Sequence, residues 1–359
     1  MKNINNFYKN KKVLVTGATG FKGSWLCAWL INLGAKVYAT GHNPNKNKNL
    51  FQSLKLYKKI KTNIFDIRDK KKLDLYIKKV MPQIIFHLAA QPLVIKSYKE
   101  PFITFDVNYR GTLNILETTR KYKFIKSLVC VTSDKVYENN FKLKKYNEVD
   151  KLGGIDPYSA SKASTEILIN SYLETYFKKK KCGLSSVRAG NVIGGGDWSE
   201  NRLIPDCIKA ISKNKKIIIR NPNFNRPWQH VLEPLYGYLI LAKKQYEKPF
   251  KYSGAYNFGP NEKSLLKVKE IARYITQIWG KGKIKLINKY KFHEQKNLQI
   301  DSSKSKKILN WKNLYSARNA VQITIQWYFG VIHKKKSPED MTISQIKNYI
   351  KKFKNYRVF

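Results

Sequence analysis

Acidic residues are scarce in this chain. Its 24 Asp and Glu stand against 70 Lys and Arg, giving a formal net charge of +46 over 359 residues. Cysteine is scarce too. The four thiols, Cys27, Cys130, Cys182 and Cys207, lie far apart and form neither a metal-ligand spacing nor a disulfide framework. Buried thiols in a reducing cytoplasm are the expectation, with no metal site. No uncharged apolar run approaches the roughly 18 residues that a membrane span needs. The N-terminal MKNINNFYKNKK is polar and meets a core strand at Val13, so no signal peptide is expected. The sequence also lacks internal repeats and low-complexity linkers.

The excess of positive charge raises the question of nucleic acid. The basic residues are overwhelmingly Lys and are scattered, whereas phosphate-clamping and base-reading surfaces favour Arg gathered on one face. The runs at 178–181 and 334–336 fall where solvated helix ends or loops belong. No specific nucleic-acid partner and no membrane partner are expected.

What is present supports a large core: 42% hydrophobic residues, with Trp 7, Tyr 23 and Phe 17. Short apolar runs alternate with helical stretches through the first half. KVLVT (12–16), AKVYAT (35–40), IKTNIFDIRD (60–69), IIFHLAAQ (84–91), SLVCVTSD (127–134) and CGLSSVRAGNVIG (182–194) read as strands. Helices are expected over about 22–33 and around 111–120. This rhythm predicts an α/β fold, a Rossmann-type doubly wound parallel sheet. Past 190 the rhythm breaks into short mixed segments. The expected division is therefore a dinucleotide-binding domain over 1–190, with the chain returning to it at about 225–260. A smaller C-terminal α/β substrate-binding lobe occupies mainly 191–359.

Gly17-Ala18-Thr19-Gly20-Phe21-Lys22-Gly23 follows the first strand and opens a helix. Gly17 permits the tight turn, Gly20 the approach of a pyrophosphate, and Gly23 close helix packing. Free N–H groups at the helix N-terminus then bind phosphate. Asp66-Ile67 lies where a later strand end can receive an adenine amino group, and Leu88-Ala89-Ala90-Gln91 is expected to line the cofactor cleft. NAD-specific sites carry an acid about twenty residues after the loop. Here Thr40-Gly41-His42-Asn43 stands there, with no Arg for a 2′-phosphate, so local chemistry leaves NAD and NADP open.

Tyr158 and Lys162 in DPYSASK are four apart and share a helix face. An ammonium there can lower a phenol from its usual value of about 10 toward that of a base. Ser133 can hold a substrate hydroxyl against that phenolate. Asp134-Lys135 offers a second proton-transfer pair, needed only for chemistry beyond oxidation.

TGATGFKGSWL, FHLAAQPLV, TSDKVYEN, LGGIDPYSASK, VRAGNVIGGGDW, RLIPD, NRPWQHVLEP and the tail MTISQIKNYI together resemble the extended short-chain dehydrogenase/reductases, and within them the CDP-glucose 4,6-dehydratase family. The similarity covers nearly the whole chain, and Asp134-Lys135, GGGDW and RPWQHVLEP are its most specific parts. It implies a cytoplasmic, NAD-dependent lyase acting on CDP-glucose as a homodimer or homotetramer. It implies Tyr158 as the base at the 4-hydroxyl, Lys162 as the group that lowers its pKa and holds the nicotinamide ribose, both counted with the cofactor set, and Ser133 as the sugar-positioning group. Asp134 is then the acid for the departing C6 hydroxyl and Lys135 the base at C5, where related dTDP- and GDP-sugar dehydratases carry Glu. Thr19, Phe21, Lys22 and Asn108 join the cofactor set, and Asn191, Arg202, Arg226 and His293 the substrate set. Trp228 and His230 are expected to pack and orient a strand, and Glu233 to cap or pair locally. The competing readings are another nucleotide-sugar 4,6-dehydratase, a 4-epimerase, which needs no acid–base pair beside the serine, and a non-catalytic nucleic-acid binder, which should have lost Tyr158 or Lys162.

Overall fold

The computed structural model describes residues 2–42, 49–138, 145–260, 265–287 and 298–355. Six segments form parallel strands of one sheet: β1 (Lys12–Thr16), β2 (Lys36–Gly41), β3 (Lys61–Ile64), β4 (Ile84–His87), β5 (Ser127–Val131) and β6 (Gly183–Arg188). A seventh strand, Gly254–Asn257, adds at the β6 edge, so the order is Gly254–Asn257, β6, β5, β4, β1, β2, β3. The chain thus moves outward from β1 in both directions, the doubly wound arrangement expected from the alternating pattern.

Successive strand residues point to opposite faces, and two separate cores follow from that. Val13, Val15, Ile84, Phe86 and Val129 face Trp25, Leu26 and Trp29 of the Phe21–Asn32 helix, together with Leu235 and Leu239 of the Leu232–Glu247 helix. Leu14, Ile85, Leu128 and Cys130 face Leu73, Ile77, Ile115, Leu116 and Leu168 on the other side. Because both faces are covered, β4 and β6 are buried at every position.

Three strands end earlier than their apolar runs suggest, each for a visible reason. After β3, the Asp66 carboxylate accepts the Arg68 N–H at 2.9 Å and turns the chain. After β5, Ser133 caps a short 3₁₀ turn over Asp134–Val136. After β6, Asn191 takes a left-handed φ of 48°, and Val192–Ile193 leaves the sheet to pair with Gln229–His230.

Beyond β6, Ile217–Arg220 pairs with Ile284–Ile287, and Asn225–Pro227 with Leu265–Lys267, beside the Leu203–Ser212 and Val268–Trp279 helices. The Leu232–Glu247 helix returns over β5 and β6. The Pro338–Asn355 helix packs against Phe21–Asn32, with the Tyr349 and Trp29 rings 5.6 Å apart. No helix among the described residues is long and apolar enough to cross a membrane.

Candidate functional site

The site is built at the C-terminal ends of the parallel strands, where the loops after β1, β4 and β5 meet. At the end of β1, Gly17 has φ +70°, and a Cβ there would stand 2.6 Å from the Ala89 nitrogen. The loop therefore lies directly on the Leu88-Ala89 backbone. A Cβ at Gly23 would approach the Gly17 carbonyl oxygen to 2.2 Å, so the helix enters hard against the turn. At Gly20 only that oxygen stands near, at 3.3 Å. No side chain caps the helix at Gly20, so its first N–H groups keep their donors for another partner. Thr19 Oγ1 donates to the His42 carbonyl at 2.9 Å and Asn49 Nδ2 to the Thr19 carbonyl at 2.9 Å, fixing the loop from the β2 side. The cradle fits a dinucleotide pyrophosphate.

The remaining cofactor candidates divide. Asp66 is partly exposed, and a hydrogen bond from Arg68 holds its carboxyl below the usual range. Arg68 also pairs with Asp106 at 2.7 Å. Ile67 is core, packed on Gly111, with its carbonyl held by Asn114. Ala90, directly before Gln91, is half-buried. Gln91 and Asn108 are structural ties. Asn108 bonds both the N–H and the C=O of Gln91, at 2.8 and 3.2 Å, while the Gln91 carboxamide donates to Thr104 at 2.9 Å. Both side chains are thus engaged inside the protein rather than presented to a ligand. Phe21 lays its ring against Gly194.

Lys22 turns inward. Burial first, then Arg202, lowers its ammonium to about 8, with Lys162 acting in the same sense and Asp134 and Asp197 opposing. Its electrostatic neighbours are thus the reaction groups, which the glycine-loop pattern did not announce.

The reaction groups come together from β5 and the Pro157–Tyr172 helix. Asp156 and Ser159 form a reciprocal cap at the start of that helix, with Pro157 in its first turn, which fixes Tyr158 at the mouth. Ser133 Oγ donates to Asp134 Oδ1 at 3.2 Å, accepts the Lys135 N–H at 3.2 Å, and reaches the Tyr158 phenol. Burial raises the Tyr158 phenol; Ser133 and Arg202 act to lower it and Asp134 to raise it. Lys162 shares the helix with Tyr158 without hydrogen-bonding its phenol. Its Nζ donates to the Val131 carbonyl at 3.2 Å, and burial lowers it to about 8.

Asp134 is 5% exposed. Burial raises its carboxyl, against the opposing charges of Lys135, Lys22 and Arg226 and the Ser133 hydrogen bond. A carboxyl held up in this way keeps its proton to higher pH, as a general acid must.

On the substrate side, Arg202 faces Asp197 at 3.5 Å and Arg226 lies over the Phe224 ring at 5.3 Å. Both guanidiniums act on the reaction groups, Arg202 on Tyr158 and Arg226 on Asp134. Asn191 sits in the turn after β6, its carbonyl accepting the Gln229 N–H at 3.3 Å. His293 lies outside the described residues. Trp228 is buried and donates to Leu266 C=O at 3.2 Å; His230 is fully buried between Trp25 and Tyr315. Glu233 does not pair locally. It accepts from the Leu314 and Tyr315 N–H groups at 2.9 and 2.8 Å and from the Tyr349 hydroxyl at 2.9 Å, pinning the C-terminal segment.

Three residues that matter here were not singled out in the sequence: Glu166, Arg188 and Gly190. The available signal was a charge at a buried position in each of two elements, Glu166 one turn past Lys162 and Arg188 closing a fully buried strand.

A family model described as GDP-mannose 4,6 dehydratase matches residues 14–324. The chain belongs to the GDP-mannose 4,6 dehydratase family. Among members of this group, it is 40% identical over 344 residues to the CDP-glucose 4,6-dehydratase of Salmonella typhimurium, covering 94% of this chain and 95% of that protein. The structure of dTDP-glucose 4,6-dehydratase from Bacillus anthracis in complex with NAD superposes with a TM-score of 0.75 at 25% identity, over 90% of this chain and 98% of that one. The epimerase Mth375 from Methanothermobacter thermautotrophicus shares the fold, with a TM-score of 0.80 at 23% identity over 92% and 97% of the two chains. A dehydratase and an epimerase thus share this fold.

Proposed function

We propose that this protein is a hydro-lyase that converts CDP-glucose to CDP-4-keto-6-deoxyglucose and water, with NAD as a resident coenzyme. The observation that carries this reading is Asp134, a buried carboxyl held above its ordinary range, joined through Ser133 to Tyr158. An oxidation at C4 needs only Ser133, Tyr158 and Lys162. A second buried acid beside them has a task only if a hydroxyl must leave.

The coenzyme is held by the open face at Gly20, the first-turn N–H groups of Phe21 and Lys22, and the shelf formed by Leu88 and Ala89. Bound NAD⁺ supplies a hydride acceptor for C4 and, in the same turnover, the source of the hydrogen that C6 receives. Among the described residues Arg68 is engaged by Asp66 and Asp106 and so is not free for a 2′-phosphate, which favours NAD.

Tyr158 removes the 4-hydroxyl proton while Ser133 fixes the sugar. Once C4 is a carbonyl, the C5 proton is acidic and Lys135 takes it. Asp134 gives its proton to the C6 oxygen, water departs, and a double bond forms between C5 and C6. Reduction at C6 and return of a proton to C5 complete the product. Arg202 and Arg226 hold the diphosphate, for which a guanidinium offers a forked pair of donors.

The two-lobe division fits this chemistry, with nucleotide held by residues 1–190 and the sugar nucleotide met mainly by 191–359. Self-association is supported by exposed apolar residues on packed neighbouring helices: Phe102 (77% exposed), Phe105, Tyr109 and Ile167. The four buried free thiols suit a cytoplasmic location.

The 4-epimerase reading is the alternative, and reaction in D₂O separates the two. A dehydratase places one solvent deuterium on C5 of a product that has lost water. An epimerase leaves mass and C5 untouched, and that result overturns the proposal.

A further inference from the structure

Glu166 lies one turn beyond Lys162, and Thr132 immediately precedes Ser133. Glu166 and Arg188 are each 3% exposed and form an ion pair, with Arg188 Nη2 donating to Glu166 Oε2 at 2.7 Å. The second carboxylate oxygen accepts the Thr132 hydroxyl, and Ser186 Oγ donates to Oε2 at 2.6 Å. On its other side Arg188 Nη1 donates to the Tyr137 hydroxyl at 2.8 Å, which donates in turn to Asn257 Oδ1 at 2.7 Å. The pair therefore grips the Ser133–Lys135 turn at both ends, through Thr132 on entry and Tyr137 on exit. Glu166 also belongs to the helix that carries Tyr158 and Lys162, whose ammonium donates to Val131, the last residue of β5.

A buried ion pair is a poor device for stability alone, because desolvating two charges cancels most of their attraction and apolar residues of similar size would serve as well. Here the charges sit where geometry and electrostatics of the reaction groups are both set. Cys130 from β5, His87 from β4, Lys22 from the Phe21–Asn32 helix and Glu166 from its own helix interact with Lys162. Burial keeps the Cys130 thiol protonated and His87 neutral, and Lys22 is a cation. Glu166 is held ionised against its burial by Arg188 and the two hydroxyls. Among these groups it is the anion.

We propose that Glu166 and Arg188 are a positioning unit that sets Ser133 and Asp134 against Tyr158 and Lys162, and that the Glu166 carboxylate is the counter-charge of the Lys162 ammonium. The inference rests on the proposed dehydratase reading for its kinetic consequence but not for its electrostatic one. The experiment follows the titration of Lys162 by NMR in protein labelled with ¹³C-lysine, its signal assigned by its loss in Lys162→Arg. Glu166→Gln, which keeps the shape, lowers the Lys162 midpoint by about one pH unit, since an ammonium loses its anion. In nucleotide-sugar turnover the same variant loses roughly tenfold or more in kcat with KM within about twofold, and the alkaline limb of the pH profile moves to lower pH. Should Glu166→Gln not fold, Glu166→Gln/Arg188→Met, which leaves no unpaired buried charge, carries the same measurement. An unmoved Lys162 midpoint in the folded variant overturns the proposal, whatever its kcat. A wild type that dehydrates no nucleotide sugar contradicts the functional reading and leaves the NMR test standing.

Discussion

The Asp134 carboxylate occupies the space that a side chain at residue 190 would need. Gly190 has none, and a Cβ built there would stand 1.5 Å from Asp134 Oδ2 and 2.1 Å from its Cγ. Gly190→Ala should therefore displace the acid rather than merely crowd it. Dehydration should fall by roughly 10²–10⁴, the usual weight of a general acid. Asp134→Ala removes the obstacle, so Gly190→Ala should cost stability in the wild type and little in that background. Thermal denaturation of the four proteins of this double-mutant cycle checks the coupling.

Oxidation and elimination should separate by mutation. Tyr158→Phe should abolish product and exchange of the C5 proton alike, because no 4-keto sugar forms. Asp134→Asn keeps the shape but cannot give up a proton, so water loss should slow by about 10²–10⁴ while C5 exchange with D₂O persists. Lys135→Met should lose that exchange. Proton NMR of the sugar in D₂O reads all three.

The glycines of the first loop should fail in different ways. Gly23→Ala drives a Cβ to 2.2 Å from the Gly17 carbonyl oxygen and should lower the melting temperature, coenzyme or not. At Gly20 the nearest atom is 3.3 Å away, so Gly20→Ala should fold nearly as well as the wild type. Its methyl group projects into the phosphate approach and should weaken NAD retention about tenfold or more. Melting curves and the coenzyme released on denaturation distinguish the two.

Glu233 should make stability depend on pH. Its carboxyl, raised by burial to about 7 from 4.5, binds its proton more tightly folded than unfolded. The sign follows from linkage: as pH rises from about 4.5 through about 7, the folded state holds the extra proton, so this group's contribution to stability falls and then levels off. The loss is on the order of 3 kcal/mol. Glu233→Gln keeps an acceptor for the Leu314 and Tyr315 N–H groups and should flatten that slope. Urea midpoints between pH 5 and 8 test it.

Much of this architecture is legible in the residues because strands such as KVLVT (12–16), IIFH (84–87) and SLVCV (127–131) are short apolar runs and the glycine loop sits between a strand and a helix. Strands stop short of the apolar runs that suggest them where a polar side chain captures the backbone, as Asp66 does after β3 and Ser133 after β5. Ser133, Asp134, Tyr158 and Lys162 were recognisable as a group, but not that the Lys162 ammonium bonds Val131 instead of the phenol, since spacing along a helix says nothing about a neighbouring strand's carbonyl. Gln91 and Asn108 satisfy one another, and their polarity alone cannot distinguish that from binding a ligand. Glu233 finds partners 81 to 116 residues away, and Glu166 meets Arg188 across two elements, so neither contact leaves a local pattern.

The most direct test of the account is mass spectrometry of the purified protein incubated separately with CDP-, dTDP-, GDP- and UDP-glucose without added coenzyme. CDP-glucose should lose the mass of one water, and the other three should do so more slowly or not at all. A product of unchanged mass, or preferred dehydration of another nucleotide's sugar, would contradict the assignment.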